Sequence, residues 1–152
     1  MQIYNIVRSN FLPVVNTDIL TIISNATRSF GVSEMDITGM GTTSAANELG
    51  LFRVTTAGVT GGGAIVPTPT NPAFTAFGGV VNTTWATQPV DAATPFHNMP
   101  LNNAGQRYQW TSNMNPARIL WSPGGAVAAG TISVRAITVS GNISARVQVV
   151  EI

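Results

Sequence analysis

The side chains that most often perform catalysis are scarce in this sequence. Its 152 residues include one histidine, six carboxylates and no cysteine. The histidine, His97, lies in a segment between Pro95 and Pro100 that contains no acid to orient an imidazole base. Asp36, Glu48 and Asp91 are scattered along the chain, so a carboxylate pair or a metal site would need ligands from distant strands. The sequence therefore predicts no enzyme, no cofactor and no metal site.

Motifs and charges exclude further classes of function. Gly61-Gly62-Gly63 is not followed by the lysine of a Walker-type phosphate loop, and no Gly-x-Ser-x-Gly nucleophile elbow occurs. Only 9% of the residues are charged, the net charge is +1, and every basic residue is arginine. Because nucleic-acid affinity comes from many Lys or Arg contacts with phosphate, the sequence predicts no nucleic-acid partner.

The low charge instead favours contact with other protein, since few charges must be desolvated and self-repulsion is weak. The first six residues have neither a basic start nor an apolar run, so no signal peptide is predicted. The longest apolar cluster, Ile19–Ile23, is interrupted by Thr21 and is too short to cross a bilayer. We therefore expect no contact with a membrane.

The clearest structural signal lies in residues 131–152. Ile143, Ala145, Val147 and Val149 alternate with polar residues, which is typical of a half-buried strand. The preceding stretch also alternates, but its apolar set changes phase at Ile137, which predicts a bulge. Because glycine and asparagine tolerate the positive φ of tight turns, residues 141–142 predict that the two strands form a hairpin.

Further strands are predicted along the rest of the chain, at residues 3–8, 29–40, 48–56, 80–87, 106–111 and 117–121. Residues 14–23 fit either a capped helix or a strand, and their alternating β-branched residues favour the strand. Residues 122–125 predict a type II turn, and residues 88–103 a loop. With about eight antiparallel strands, the sequence predicts an all-β jelly roll or related β-sandwich, as a single domain over residues 1–152.

A long loop is predicted at residues 57–79, where Pro67, Pro69 and Pro72 would interrupt any β-ladder. Long loops within compact domains are usually functional. This loop also carries apolar side chains that are costly to expose to water, so we expect it to dock on another surface; they are Ile65, Val66, Phe74 and Phe77.

The order of several short segments resembles that of small jelly-roll structural proteins of tailed bacteriophages, which include capsid decoration, or cement, proteins. The segments are Glu48-Leu49-Gly50-Leu51-Phe52-Arg53-Val54, the glycine-rich stretch, Pro67-Thr68-Pro69, Thr83-Thr84-Trp85, Gln109-Trp110 and Trp121-Ser122-Pro123-Gly124-Gly125.

This resemblance implies a homotrimer on the outside of a phage head, bound to the major capsid protein and made in the cytoplasm of a host bacterium. The apolar side chains of the loop, Ile65, Val66, Phe74 and Phe77, are then the candidate subunit interface. Arg8, Phe96 and His97 are the candidate contacts with the capsid.

Two alternatives stay open. Phage jelly rolls also occur in tails and fibres, and a carbohydrate-binding jelly roll would stack sugar rings on exposed aromatic side chains. The candidates for such stacking are Trp85, Tyr108, Trp110 and Trp121. A position in the core or at an interface is the favoured explanation of Trp110 and Trp121, which lie in predicted strands beside arginines.

Overall fold

The structure, a computed structural model, describes residues 1–25, 27–113, 115, 120–122 and 130–152. This part of the chain forms fourteen strands: β1 (Gln2–Phe11), β2 (Asp18–Ile23), β3 (Phe30–Gly39), β4 (Ala46–Thr56), β5 (Val59–Thr60), β6 (Thr68–Pro69), β7 (Val80–Asn82), β8 (Trp85–Thr87), β9 (Val90–Asp91), β10 (His97–Asn102), β11 (Arg107–Thr111), β12 (Leu120–Trp121), β13 (Thr131–Thr138) and β14 (Ile143–Glu151). A helix suited to spanning a membrane is not found among the described residues.

Eight of the strands form two antiparallel sheets in jelly-roll order. The first sheet runs β11-β3-β14-β1 and the second runs β10-β4-β13-β2. The first of these eight strands pairs with the last, the second with the seventh, the third with the sixth and the fourth with the fifth. This nested pairing is the double-sheet jelly roll. The prediction of an all-β antiparallel fold in one domain is confirmed.

One hydrophobic core lies between the two sheets. In β14 the predicted alternation is confirmed, because Ile143, Ala145, Val147 and Val149 are buried while Ser144, Arg146 and Gln148 are partly exposed. The second sheet contributes inward side chains from each of its four long strands, among them Ile22, Leu51, Met99, Leu101, Ile132 and Val134. Each fully buried aliphatic side chain contributes roughly 1.5–3 kcal/mol.

The predicted hairpin between β13 and β14 is wrong. β13 pairs with β2 and β4 in the second sheet, whereas β14 pairs with β1 and β3 in the first. The connection crosses between the sheets and is held by neighbouring strands, since Ser140 N donates to Asn47 Oδ1 at 2.7 Å and Met40 N donates to Asn142 O at 2.8 Å. The predicted bulge is confirmed as a register shift between Ala136 and Thr138.

The loop predicted at residues 88–103 is also corrected, because it contains β9 and β10. β10 pairs with β4 over six residues and places Met99 and Leu101 in the core. Pro100 lies within β10 opposite Glu48. A strand at the edge of a sheet tolerates proline because one of its sides has no ladder to complete.

Residues 14–23 follow the strand alternative from Asp18 onwards, with a turn before it. Of the strand predicted at residues 117–121, Leu120 and Trp121 pair with β3. Residues 117–119 and the turn residues Pro123-Gly124-Gly125 lie outside the described part of the chain.

The long loop of residues 57–79 docks on its own subunit. β6 adds to the edge of β1, and Ile65 N donates to Val81 O at 3.0 Å. Phe77 is buried edge-on against Tyr4, with ring centroids 5.3 Å apart. Phe77 is thus buried within its own subunit, whereas Val66 of the same loop stays exposed.

Candidate functional site

The side chains predicted to contact a capsid do not form one surface. Arg8 lies in β1 and donates a hydrogen bond to Ile19 O on β2, while its guanidinium lies 4.0 Å from the centroid of the Phe11 ring. Phe96 and His97 lie at the other side of the sandwich, where β10 and β11 form the sheet edges. Arg8 and the Phe96–His97 pair are therefore separate candidate contacts.

His97 belongs to an aromatic cluster that joins the two sheets. Its Nε2 lies 2.5 Å from the hydroxyl oxygen of Tyr108, and its ring centroid lies 5.7 Å from that of Trp110. Burial lowers the pKa of His97, so the neutral imidazole is favoured near pH 7. Phe96 stays exposed beneath the guanidinium of Arg53. The His97–Tyr108 contact bridges the edge strands of opposite sheets.

Tyr108→Phe is expected to lower the free energy of unfolding by about 0.5–1.5 kcal/mol, because one partly buried hydrogen bond is lost. The measurement is urea denaturation of Tyr108→Phe, His97→Phe and the double variant. We expect the double variant to lose less than the sum of the single losses, since both remove the same bond. Strict additivity would contradict this assignment.

The four candidate interface residues have different surroundings. Phe77 is buried in its own subunit and Ile65 packs partly against the same core. Val66 is 83% exposed, and Phe74 is partly exposed. Val66 and Phe74 therefore remain the side chains of this loop that a neighbouring subunit would reach.

A feature missed by the sequence analysis is a cover over the outer face of the second sheet. β5 and β8 pair to form a short ribbon, and β9 pairs with the end of β4. Gly58 permits this packing, because a Cβ there would lie 2.5 Å from Thr87 O. Residues 83–92, which we call the cover segment, run from this ribbon to β9.

Two carboxyl groups and one guanidinium meet where the cover segment contacts the second sheet. The Asp18 and Asp91 side chains have no solvent exposure, and Arg135 approaches both, with Nε 3.7 Å from Asp18 Oδ1 and Nη1 3.4 Å from Asp91 Oδ2. Ser133 Oγ donates to Asp91 Oδ1 at 2.7 Å. Asp18 N donates to Gln88 Oε1 at 3.0 Å. The acid pair thus links the second sheet to its cover.

Local irregularities bring these groups together. A register shift between Val134 and Arg135 places Arg135 opposite Asp18, on the face of the sheet that points away from the core. The turn before Asp18 is fixed to β13 through Asn16 N to Ala136 O at 2.8 Å. Asn16 has a φ of 61°, a conformation that asparagine tolerates better than most residues.

One carboxyl group of the acid pair, that of Asp18, has a raised pKa. Burial raises the pKa of Asp18 to about 8, with the nearby Asp91 carboxylate acting in the same direction, while Arg135 opposes them. Near neutral pH, the raised pKa keeps Asp18 protonated, so its carboxyl group adds no negative charge to the cluster. The arrangement holds a proton on a side chain that has no solvent exposure.

Trp85 of β8 lies between two cavities. One has a volume of about 300 Å³ and is lined by Trp85 together with Arg8, Val14, Asp18, Thr84 and Gln88. The other, of about 100 Å³, is lined mainly by apolar groups, including Val54 and Pro89. No group of three or more His, Cys, Asp or Glu side chains that could hold a metal ion occurs in the described ranges.

Most carboxylates of the protein are engaged in ion pairs within the subunit. On the outer face of the first sheet, Arg107 forms a bidentate pair with Asp36, and Arg146 contacts Glu34. Arg28 pairs with the buried Glu151 at 3.0 Å. Apolar side chains, by contrast, are exposed on the loops and short strands; they include Leu12, Val14, Val15, Val59, Val66, Val80 and Val90.

No protein-family model matches this chain, and no curated protein is significantly similar to it.

Proposed function

We propose that this protein is a non-enzymatic structural protein of a virion, a decoration protein that binds the major capsid protein on the outside of a phage head and stabilises the shell. One observation about this jelly roll carries the proposal. Its acidic side chains mostly pair with arginines of the same subunit, while aliphatic side chains remain exposed on its loops.

Most acidic side chains contact arginines of the same subunit, which supports binding of the capsid through neutral surface. Five of the six acidic side chains lie within 4.0 Å of an arginine of the same subunit, namely Asp18, Glu34, Asp36, Asp91 and Glu151. A partner that covers neutral and aliphatic surface desolvates few charges, so the contact costs little. Binding of this kind depends weakly on ionic strength.

Stabilisation of a shell follows from linkage. A protein that binds the assembled shell and not its free subunits stabilises the shell by about 2.7 kcal/mol at a hundred times its Kd. A trimer strengthens the effect, because after one subunit binds, the others act at high effective concentration. Val66 and Phe74 are the loop side chains available for such an assembly.

Binding to undecorated phage heads is expected to be saturable, to raise the melting temperature of the shell, and to change in Kd by less than about threefold between 0.05 and 0.5 M salt, because screening acts mainly on exposed charges. Co-sedimentation and calorimetry measure these quantities. Val66→Asp should weaken trimer formation in analytical ultracentrifugation, with Thr43→Asp, at an exposed position in the loop before β4, as the control.

Absence of binding and of any rise in melting temperature, with folded protein at saturation, would contradict the decoration role. A stable monomer at micromolar concentration would contradict the trimer alone.

A further inference from the structure

We propose that the buried Asp18–Asp91–Arg135 cluster is a pH-sensitive latch, which holds the cover segment against the second sheet while the acid pair keeps one proton and releases the segment when that proton is lost.

The position of the cluster makes it a latch. Asp18 and Arg135 belong to long strands of the second sheet, whereas Asp91 belongs to the cover segment. Contacts of this cluster therefore cross from the sheet to the cover. The hydrogen bond from Asp18 N to Gln88 crosses at a second point.

The cover segment has few other attachments to the sheet. β9 is two residues long, and Asp91 and Val90 pair with Val54 and Thr56 across a register shift. Ala92 N donates to Arg53 O at 2.8 Å, and Thr55 Oγ1 donates to Val90 O at 2.9 Å. By comparison, β13 pairs with β2 from Thr131 to Arg135 and with β4 from Ile132 to Thr138. Local opening of the cover is therefore easier than opening of the sheet.

Loss of the proton adds a negative charge to a site whose two carboxyl groups have no solvent exposure. Two carboxylates would then face one guanidinium, leaving an excess negative charge that burial disfavours. The remaining charged groups offer limited compensation. Arg8 of β1 lies across the 300 Å³ cavity and already donates to Ile19 O, and Arg53 of β4 lies over the Phe96 ring. Hydration by opening of the cover segment relieves the excess charge.

The carboxylate oxygens of the cluster that lack hydrogen-bond partners support the proposed latch. Both carboxylate oxygens of Asp18 and Oδ2 of Asp91 are buried and have no hydrogen-bond partner among the described residues. Buried polar groups are rarely left in this condition, and those that are call for an explanation. A site that is only partly satisfied when closed gains more from water when it opens.

The raised pKa of Asp18 determines whether a rise in pH opens or closes the cover segment. The raised pKa of Asp18 means that the closed form binds a proton that a hydrated carboxyl releases above about pH 4. Opening is therefore favoured as pH rises from about 4 to about 8, and the effect levels off above pH 8. In the steep part of this range, the opening equilibrium constant should increase about tenfold per pH unit.

Hydrogen exchange of the full-length protein between pH 5 and 9, corrected for the exchange rates of unstructured peptides, tests the latch. We expect the opening constant of residues 83–92 to rise about tenfold per pH unit up to about pH 8, while β3 and β14 show no such rise. Asp18→Asn keeps the shape without the titrating proton and should reduce the change to less than about twofold over the whole range.

Asp91→Asn provides a second variant that should also flatten the profile, because it removes the neighbouring carboxylate. Asp36→Asn, in the exposed ion pair of the first sheet, should leave the opening of the cover segment unchanged. A pH-independent opening constant in the unmodified protein would overturn the proposal, and so would a slope in both Asp18→Asn and Asp91→Asn as steep as that of the unmodified protein.

Discussion

Arg135→Met is expected to lower the free energy of unfolding at pH 8 by about 3–5 kcal/mol, because it leaves two buried carboxyl groups without their cation. Methionine keeps most of the length of the arginine stem, so loss of charge dominates over loss of packing. The Asp18 and Asp91 side chains have no solvent exposure, and the Arg135 side chain, which is 26% exposed, is the cation that approaches both. The loss should be smaller at pH 4.5, where Asp18 is protonated and carries no charge.

The matched control is Arg107→Met. Arg107 also forms an ion pair with an aspartate, but its side chain is 54% exposed. An exposed pair contributes about 0–1 kcal/mol, so this variant should change the free energy of unfolding by no more than that. Chemical denaturation of both variants at the two pH values gives the comparison. Equal losses in the two variants would show that the buried cluster has no special role in stability.

Phe77→Ala is expected to lower the free energy of unfolding by about 3–5 kcal/mol, the usual cost of removing a buried phenylalanine side chain. Phe77 is 9% exposed, and its ring meets Tyr4 and Phe30 edge-on, with centroids 5.3 and 6.2 Å away. These rings join the long loop to β1 and β3. The loss is a large fraction of the 5–15 kcal/mol by which a typical domain is stable.

Phe74→Ala supplies the control within the same loop. Phe74 is partly exposed, and its truncation should cost about 1 kcal/mol or less in the isolated subunit. Urea denaturation measures stability, and sedimentation measures assembly. If Phe77→Ala left stability unchanged and instead dissociated an oligomer, the assignment of Phe77 to its own core would be wrong.

Apolar and polar alternation predicted the strands most reliably where one face is buried and the other meets water. β14 is the clearest case, and β1, β3 and β4 were likewise predicted close to their observed positions. β10 was missed because its prolines and asparagines resemble a loop, although Met99 and Leu101 alternate as strand residues do. The edge position, which makes Pro100 acceptable, is a property of the sheet and not of the segment.

Local sequence patterns could not predict which distant strands pair with each other. Residues 141–142 favour a turn whether the following strand pairs with the preceding one or crosses to the other sheet. The choice depended on β1 and β3, which pair with β14 on either side. Apolar residues in the 57–79 loop indicated docking, but the sequence did not distinguish a neighbouring subunit from the chain's own core, where Phe77 lies.

The sequence by itself determined the class of fold, since alternation and proline placement are local, and it determined the low charge and the scarcity of catalytic side chains. Only the tertiary structure brings the two acids of the pair together. Asp18, Asp91 and Arg135 are distant along the chain, and they meet because a register shift turns Arg135 towards Asp18 while β9 brings Asp91 over the sheet. Their proton affinity depends on burial and mutual distance, which exist only after the strands and their cover have packed.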